Sequence, residues 1–559
     1  MIKRQPRFRR EDILENIRTE EFDVLVIGGG VTGAGIALDA ASRGLQTVLV
    51  EMQDFAAGTS SRSTKMIHGG LRYLKNLEFK IVSQTGQERA VVYENGPHVT
   101  TPTWLLLPIY KGGTFGKFSS SIGLRVYDTL AKVKKSERKS MLSKKQTLRD
   151  EPKLNPTGLL GAGKFVEYRS DDARLTIEVI KEAVQYGASV LNYTKVTKFV
   201  YHDGKVAGVE TIDQLTGKSR MIFAKKVINA AGPWVNEVRH KDAEPDQKQL
   251  HLTKGVHLVF DQRVFPLEQT IYFDTPDGRM VLAIPRNGKT YIGTTDTDYQ
   301  GSLTEPQITQ ADKDYLLNAI HFVFPKLEIS EEQIESGWAG LRPLIQEEGK
   351  SVSEISRKDE IWVSDSGLLT IAGGKLTGYR KMAEMIVDRI AADLKTSYGK
   401  KVPSCRTKKL PISGGHVGGS KGFEAFVQRK VKEGMSLGLS EQTAYALVTH
   451  YGSNVDELFG VIQNGKADAR KANLPIEIYA QAWYSISKEF VCTPVDFFWR
   501  RTGALLFDID WVNQWQEPII DFLAVQLGWS NAVKKKMIEE LERSKQLCKG
   551  TLIEEKIQS

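Results

Sequence analysis

A single arginine stands in an otherwise apolar run of the chain, residues 338–344. A buried arginine needs a partner, because an unpaired charge inside a protein is very costly. We therefore expect Arg342 to meet either a carboxylate of the protein or an anionic ligand. Arg357, a short loop further on, is a second candidate for such a contact.

A second segment rich in reactive side chains is residues 52–79. This segment contains the charged and aromatic residues Lys65, His68, Arg72 and Tyr73, and they are surrounded by small hydroxyl residues and a pair of glycines. Such a segment can place backbone and hydroxyl donors around a ring system with little steric bulk. A solvated, flexible loop is the alternative, but apolar residues interleaved through 66–74 indicate that the segment is held down.

Residues 23–51 predict the element that positions a dinucleotide. A short apolar strand leads into Gly28, Gly30 and Gly33, which fit the dinucleotide-binding fingerprint. The first glycine permits a tight turn, the second lets the backbone approach a pyrophosphate, and the third lets the following helix pack closely on the sheet. The helix N-terminus at Val31 and Thr32 offers N–H groups to the phosphates. A second strand ends in Glu51, whose carboxylate can accept hydrogen bonds from a ribose diol. Taken alone, the fingerprint leaves NAD and FAD equally open.

Two further strands predict close approach of backbone to a ligand. Residues 227–232 form a buried strand that ends in the small residues Ala231 and Gly232, although a simple core strand has the same pattern. Residues 368–374 form a strand that runs into a glycine turn, followed by Lys375 and a helix through residue 393. The N-terminus of that helix is expected to face the other end of the cofactor or the substrate.

Composition indicates a soluble globular protein of two or three domains, with 559 residues, 41% hydrophobic and 26% charged. No apolar run reaches the thickness of a bilayer, and the basic N-terminus has no signal-peptide core. Cys405, Cys492 and Cys548 are far apart, as expected in a reducing compartment. No zinc-ligand spacing or P-loop occurs, so we expect no metal site.

The net charge of +9 is concentrated in residues 111–149, where aromatic and aliphatic residues are interleaved with the early cations. This segment could meet anionic lipid headgroups with its apolar side chains dipping below them. A solvated loop and helix whose apolar side packs inward is the alternative. The segment lacks a platform of stacking aromatics, so we expect no nucleic-acid partner.

The pattern along the chain predicts an α/β protein followed by helices. Strands alternate with helices up to about residue 395, residues 413–420 look like a linker, and amphipathic helices follow to residue 547. The basic first residues and a short helix are expected to lie outside the core.

Seven motifs, in order, resemble those of the FAD-dependent glycerol-3-phosphate dehydrogenases. They are VIGGGVTGAGIALDAASRG, TSSRSTKMIHGGLRYL, INAAGPWV, KGVHLVF, IGTTDTDY, GLRPL and GGKLTGYRKMAE, covering about residues 22–391. The resemblance implies a D-amino-acid-oxidase-like fold, in which a Rossmann-type FAD-binding domain is interleaved with an antiparallel-sheet substrate domain and followed by an all-α C-terminal domain. We divide the chain into an N-terminal arm and helix (1–20), FAD-binding segments (21–110, 150–250, 335–395), a substrate domain (250–335), a basic membrane-facing segment (111–149) and a helical domain (396–559).

The resemblance also implies a reaction of glycerol metabolism. An FAD-dependent glycerol-3-phosphate dehydrogenase oxidises sn-glycerol 3-phosphate to dihydroxyacetone phosphate, with FAD accepting the hydride and a membrane quinone accepting the electrons. The segment after Glu51 then favours FAD over NAD. A cytoplasmic enzyme, peripherally associated with an anionic membrane surface, is expected, and a homodimer remains open.

The motifs assign residues to three roles. A phosphate dianion calls for several cations. The residues expected to bind substrate are therefore the cations Arg342, Arg357 and Arg72, together with the hydroxyl of Thr377. Removal of the hydroxyl proton calls for a base near neutral pH, and the catalytic candidates are His257, His68, Arg72, Tyr73 and Lys375. The residues expected to bind FAD are Gly28, Gly30, Val31, Thr32, Gly33, Glu51, Thr59, Ser60, Ser63, Lys65, His68, Gly69, Ala231, Gly232, Gly373, Gly374, Lys375, Leu376 and Thr377.

Three other functions have some support in the sequence. An α-glycerophosphate oxidase uses the same substrate and passes electrons to oxygen, but the resemblance implies a mid-chain insertion that this chain lacks. An NAD(P)H-using flavin reductase generally needs a second nucleotide site, and no second full fingerprint occurs. A non-catalytic nucleotide-binding protein or RNA-modifying scaffold is suggested by the basic stretch alone, which lacks an aromatic stacking platform and a recognised nucleic-acid-binding motif.

Overall fold

The computed structural model describes residues 6–67, 79–113, 126, 137–242, 249–345, 359–373 and 375–551, with the side chains of 79–81 omitted. Seven of the residues predicted above to act at the site or to border it lie outside this description: His68, Gly69, Gly70, Arg72, Tyr73, Arg357 and Gly374. Most of the basic segment, at 114–125 and 127–136, also lies outside it.

The strands fall into two sheets. In chain order they are β1 (Phe22–Ile27), β2 (Thr47–Val50), β3 (Met66–Ile67), β4 (Thr100–Tyr110), β5 (Ser140–Ser143), β6 (Leu159–Ser170), β7 (Ser189–Leu191), β8 (Thr194–His202), β9 (Lys205–Asp213), β10 (Ser219–Asn229), β11 (Leu250–Asp261), β12 (Thr270–Asp274), β13 (Met280–Arg286), β14 (Lys289–Gly293), β15 (Thr297–Asp298), β16 (Ile334–Ile345), β17 (Glu360–Val363) and β18 (Leu369–Ala372).

Helices cover the sheets and dominate the C-terminal part of the chain. They are α1 (Arg10–Thr19), α2 (Val31–Ser42), α3 (Phe79–Asn95), α4 (Lys144–Asp150), α5 (Asp172–Gln185), α6 (Val235–Arg239), α7 (Gln310–Val323), α8 (Tyr379–Tyr398), α9 (Gly419–Ser436), α10 (Glu441–Tyr451), α11 (Val455–Asn464), α12 (Lys466–Lys471), α13 (Ile476–Glu489), α14 (Ala504–Phe507), α15 (Ile509–Leu527) and α16 (Asn531–Lys549).

The first sheet has a parallel core in the order β18-β10-β1-β2-β7, with β17 antiparallel at one edge and β8 and β9 joined to β10 as a meander. All six residues of β1 are buried, as expected for a strand covered on both faces. Helix α2 packs against α5 and α8. The hairpin between β8 and β9 turns at Asp203 and Gly204, both with positive φ, a conformation that an Asp-Gly pair favours.

The second sheet contains β3, β4, β5, β6 and β11 to β16, and nearly all of its neighbours are antiparallel. Strands β3, β4 and β6, which lie within the segments predicted to bind FAD, belong to this second sheet. Strand β4 pairs with β6 along its whole length and with β12 in parallel. The pairing of β4 with β12 joins residues 165 apart in the chain, such as Leu105 and Thr270, which local sequence patterns do not record.

The C-terminal helices are not an isolated unit. Part of their apolar surface forms a core of its own, and the rest packs on the second sheet, where Phe498 and Leu505 share a cluster with Tyr291 and Trp338. None of the described helices is long and apolar enough to cross a membrane.

Two sequence-based expectations about peripheral segments are wrong. Helix α1 does not lie outside the core, because Ile13 and Ile17 are buried in the main cluster and Asn16 donates a hydrogen bond to Ser189. The glycine-rich segment 413–420 is not a solvated linker either. Gly415 lies so close to the carbonyl of Asn95 that a Cβ would collide with it, so glycine there serves close packing.

Candidate functional site

The glycine turn after β1 has no room for side chains. Gly28 has φ +113°, and a Cβ there would lie 2.5 Å from the carbonyl oxygen of Ala230. A Cβ on Gly33 would collide with the carbonyl oxygen of Gly28, one turn before it. Gly30 faces the Ser60 hydroxyl, which accepts a hydrogen bond of 2.9 Å from the N–H of Val31. The fingerprint glycines are therefore required by contacts with β10, the turn itself and the segment 59–61.

A cleft with about 1190 Å³ of empty space, part of it open to solvent, extends from this turn along the carboxyl ends of the parallel strands. A ligand is expected at this edge in a sheet of this kind. The predicted cofactor residues that line the cleft are Gly28, Gly30, Val31, Thr32, Glu51, Thr59, Ser60, Ser63, Ala231, Gly232, Gly373, Lys375 and Leu376. Gly33 lies beneath the turn, and Thr377 lines a neighbouring cavity instead.

The Glu51 carboxylate is held by backbone N–H groups on both oxygens. Oε2 accepts from Gly29 at 2.7 Å and Oε1 accepts from Gln53 at 2.8 Å. Burial nevertheless raises the pKa of Glu51 above its usual value. Each carboxylate oxygen can accept a second hydrogen bond, so the group retains capacity for a diol in the cleft.

A second cavity, with about 800 Å³ of empty space, opens beside the first. The two share Thr59, Ser63, Lys375 and Leu376, so a group at the end of the cleft is next to whatever fills the cavity. The structure brings together around the second cavity the predicted residues His257, Arg342, Lys375 and Thr377. A substrate in this cavity would therefore be in contact with a base, two cations and the cofactor.

His257 lies on β11 and is buried. Its ring stacks on that of Trp338 with centroids 4.7 Å apart, and its Nε2 lies 3.0 Å from the Thr64 hydroxyl. Within the described part of the chain, Nδ1 has no hydrogen-bond partner. Burial, together with the charges of Arg342 and Lys65, lowers the pKa of His257 well below its usual value. The imidazole is therefore neutral at neutral pH and able to accept a proton.

Arg342 lies on β16, the strand that pairs with β11. Its guanidinium donates to Asp296 Oδ1 at 3.0 Å, to the Thr294 hydroxyl at 2.8 Å and to the Thr295 carbonyl at 3.3 Å. The sequence left a protein carboxylate and an anionic ligand both open as partners, and Asp296 supplies the carboxylate. The side chain keeps 22% exposure and lines the second cavity, so the carboxylate does not enclose it.

Lys375 occupies the junction between cleft and cavity, directly before a short helical turn, Leu376–Gly378, that leads into α8. Asp359 lies close enough for the charge of Lys375 to oppose the rise in pKa that burial causes in this carboxyl. Lys375 therefore places a cation at the border between the cleft and the second cavity.

Lys65, by contrast, lines neither cavity. Its buried ammonium donates to Asp172 Oδ1 at 2.7 Å and to the Ser61 carbonyl at 2.9 Å. Asp172 also accepts from the N–H and hydroxyl of Ser63. Lys65 thus ties the segment 61–65 to the first turn of α5, and any effect of it on the cofactor acts through that segment.

Sequence reasoning missed several residues that shape the cavity. His257 is held by Thr64 and Trp338, and Arg342 is held by Asp296. Arg62 also lines the cavity, and its guanidinium lies 5.1 Å from the centre of the Trp499 ring. Burial lowers the pKa of Arg62 to about 10. Arg62 and Thr64 stand within the motif TSSRSTK and Asp296 stands within IGTTDTDY, and these motifs are the signals that could have pointed to them.

Comparison with known proteins bears on this geometry. A family model described as FAD dependent oxidoreductase matches residues 23–380, and a model described as the C-terminal domain of alpha-glycerophosphate oxidase matches residues 405–534. Aerobic glycerol-3-phosphate dehydrogenase of Bacillus subtilis is 59% identical over 96% of both chains, and that of Staphylococcus epidermidis is 58% identical over the same shares.

Solved structures agree with these matches. The glycerol-3-phosphate dehydrogenase of Bacillus halodurans complexed with FAD is 46% identical, covers 98% of this chain and 99% of its own, and superposes with a TM-score of 0.85. L-alpha-glycerophosphate oxidase of Mycoplasma pneumoniae shares the fold at 21% identity and a TM-score of 0.53, over 69% of this chain and 97% of its own.

Proposed function

The chain belongs to the FAD-dependent oxidoreductases, in the family of the aerobic glycerol-3-phosphate dehydrogenases, and from this we propose that it oxidises sn-glycerol 3-phosphate to dihydroxyacetone phosphate. The observation that carries the proposal is the cavity beside the cofactor cleft, where Arg342, Lys375 and His257 meet. Two cations suit a phosphate ester, and a neutral imidazole suits removal of a hydroxyl proton.

Bound FAD supplies the acceptor for the hydride that leaves the substrate carbon. The protein's part in holding it is proposed for the glycine turn, whose N–H groups and helix dipole favour the pyrophosphate, and for Glu51, which suits the ribose diol. Lys375 and Leu376 line the opposite end of the cleft, next to the substrate cavity. We propose that this end receives the flavin ring.

Substrate binding is proposed for the cations of the cavity. Arg342 is oriented by Asp296 and Thr294, so its planar guanidinium is already fixed when the anion arrives. Arg357 and Arg72, from the motifs, are proposed to complete the phosphate site, and Thr377 to donate from its hydroxyl.

Proton removal is proposed for His257. A donor–acceptor contact with Thr64 at Nε2 fixes the ring, and stacking on Trp338 keeps its plane constant. Binding a phosphate dianion would offset the charge of Arg342, which helps to lower the pKa of His257. The imidazole should therefore become a stronger base when substrate is bound. His68, Tyr73 and Lys375 remain proposed partners in orienting the oxygen or serving the flavin.

The absorption spectrum tests the proposed function directly. Purified protein with bound FAD should lose its visible flavin bands when sn-glycerol 3-phosphate is added under anaerobic conditions, and should keep them with glycerol, which lacks the phosphate. An unchanged spectrum with glycerol 3-phosphate would contradict the substrate assignment.

We propose a membrane quinone as the electron acceptor, since the relatives compared above carry the name of aerobic dehydrogenases and a basic segment with interleaved apolar residues spans residues 111–149. Oxygen is the competing acceptor, favoured by the match of residues 405–534 to a domain of alpha-glycerophosphate oxidase. Turnover with a quinone analogue, measured beside peroxide release, separates the two. Stoichiometric peroxide without quinone reduction would identify an oxidase.

Peripheral attachment of a cytoplasmic protein to an anionic membrane is proposed on the same basic segment. Neutral substitutions of Lys134, Lys135, Arg138 and Lys139 should weaken binding to anionic vesicles and leave flavin reduction unchanged. Undiminished vesicle binding would show that the basic segment is solvated and does not attach the protein to the membrane. A homodimer is a further proposal, which the sedimentation coefficient of the detergent-free protein tests.

A further inference from the structure

The loop 52–58, which follows β2, forms one wall of the FAD cleft. Met52, Ala57 and Gly58 line the cleft directly. The N–H of Ala56 donates to the carbonyl of Gly29 at 3.0 Å, and the Phe55 ring lies against Gly29 so closely that a Cβ there would be 2.6 Å from it. The position of this loop therefore determines the position of the glycine turn and the width of the cleft beside it.

Asp54, at the back of the same loop, is held by the C-terminal helices. Its carboxylate is 1% exposed and accepts from Arg500 Nε at 2.5 Å and from two nitrogens of Arg501 at 2.7 and 2.9 Å. Asn192 donates to it as well, at 3.1 Å. The two arginines hold the pKa of Asp54 down, at about 2, although burial acts to raise it. Both arginines belong to a π-helical turn, Asp496–Arg501.

The same C-terminal segment also holds the second FAD-lining segment, 59–65, through α5. Arg501 donates twice to the carbonyl of Glu489, at 2.9 and 2.6 Å. The Glu489 carboxylate pairs with Arg174 and, at 3.1 Å, with Lys181, both on α5. The first turn of α5 carries Asp172, which binds Ser63 and Lys65. Residues 489–501 thus reach both walls of the cleft without lining it.

We propose that Arg501, with Arg500 and Glu489, is a positioning group for FAD: the C-terminal helices hold Asp54 and α5, and through them set the loops 52–58 and 59–65 in the form that binds the cofactor. Removing Arg501 leaves the Asp54 carboxylate buried beside Arg500 alone, and a buried charge that has lost its bidentate partner moves toward water or becomes protonated. Either change displaces the loop that carries Phe55 and Ala56. Coupling of this kind is reciprocal, so FAD should in turn stabilise residues 489–501.

Reconstitution of the full-length apoprotein with FAD tests the proposal. Arg501→Met should raise the FAD dissociation constant at least tenfold, and Arg501→Lys, which keeps the charge but loses the fork, should have an intermediate effect. Lys430→Met is the matched control, because Lys430 is buried in ion pairs with Asp456 and Glu433 among the C-terminal helices and touches neither loop. The proposal would be overturned if Arg501→Met and Lys430→Met lost equal thermal stability and had equal FAD dissociation constants.

Two further measurements apply if Arg501→Met fails to fold. Asp54→Asn removes the charge while keeping one acceptor, and it should also weaken FAD binding severalfold. Hydrogen exchange of residues 489–501 in the wild-type protein should slow when FAD binds and should show a smaller response in Asp54→Asn, in which the path through α5 remains. Exchange in this segment that ignores FAD in the wild type would exclude coupling, and leave Arg501 a structural residue of the C-terminal helices.

Discussion

Arg342 and His257 lie on paired strands, four register positions apart, and face one cavity. This arrangement places a cation where it both attracts an anion and lowers the pKa of the imidazole. The free protein therefore holds a neutral imidazole beside a guanidinium, which suits the proposed roles of base and of phosphate-binding cation. Residue-scale predictions test the two roles separately.

Arg342→Ala should raise the KM for sn-glycerol 3-phosphate by about 10- to 100-fold, because a charge-assisted contact to the phosphate is lost. FAD should remain bound, since Arg342 does not line the cofactor cleft. Steady-state kinetics and the flavin spectrum check both statements. Arg263→Ala, at an exposed arginine just beyond the end of β11, is the control. Equal KM values for the two variants would misplace the phosphate site.

His257→Ala should slow flavin reduction by about 10²- to 10⁴-fold with little change in substrate affinity, as expected on loss of a general base. Stopped-flow reduction measures the rate. His251→Ala, at a histidine on the same strand that pairs with Asp298, is the control and should react normally. In the wild type, kcat/KM should fall between pH 8 and 6 only as far as protonation of the substrate phosphate, with a second pKa of about 6, requires. The pKa of His257 is lowered well below its usual value, so the imidazole stays unprotonated there. A further acid limb centred in that range would point to another base.

At the scale of elements, the glycine turn and the helix after it act as one rigid piece against β10. A Cβ at Gly28 would collide with the carbonyl of Ala230, and a Cβ at Gly33 would collide with the carbonyl of Gly28. In both cases the obstacle is a peptide group and not a flexible side chain. Because peptide groups cannot give way, substitution there has to move the helix start that is proposed to receive the cofactor phosphates.

A pair of helical glycines tests this rigidity. Gly33→Ala should raise the FAD dissociation constant by about 10- to 100-fold, because the new methyl group meets the carbonyl of Gly28. Gly460→Ala, in α11, meets nothing within 4 Å and should stabilise the protein by about 0.5–1 kcal/mol without affecting FAD. Fluorescence titration of apoprotein and thermal unfolding measure the two effects. Tight FAD binding by Gly33→Ala would show that the turn can relax.

At the scale of the whole molecule, buried charges join the C-terminal helices to the flavoprotein core. His98 lies within this interface with its side chain fully buried, close to Glu178 on α5 and to Gly414. Burial, reinforced by the charges of Arg174 and Lys181 against that of Glu178, lowers the pKa of His98 to about 3. The interface therefore contains an imidazole that stays neutral while the protein is folded.

That imidazole should make stability fall in acid. The unfolded chain takes up a proton at His98 near pH 6.5 and the folded protein does not, so stability is lost as the pH falls from about 6.5 toward 3, at about 1.4 kcal/mol per pH unit. His98→Leu should make the slope shallower by that amount in urea unfolding between pH 6.5 and 4.5. His202→Gln, at a side chain that is 81% exposed, is the control. Parallel slopes for wild type and His98→Leu would contradict a neutral buried His98.

Much of the element order follows from sequence, and some of the packing does not. Strong local patterns predicted β1, the glycine turn, α2 and β2 within a few residues, because turn residues and periodicity act over short distances. Burial of Ile13 and Ile17 and the tight packing at Gly415 were missed, because a short helix and a glycine-rich segment look solvated until the surface that covers them is known.

By itself, the sequence determined the cofactor-binding element and the side chains able to do chemistry. The fingerprint glycines Gly28, Gly30 and Gly33 and the acid Glu51 at the next strand end express steric and hydrogen-bonding demands that are local, so they can be recognised without a structure. Only the tertiary structure decided which of those side chains meet. Pairing of β11 with β16 joins His257 to Arg342 and Trp338, and Asp54 meets Arg501 across 447 residues. Such contacts depend on the summed packing of distant segments, which no short stretch of sequence records.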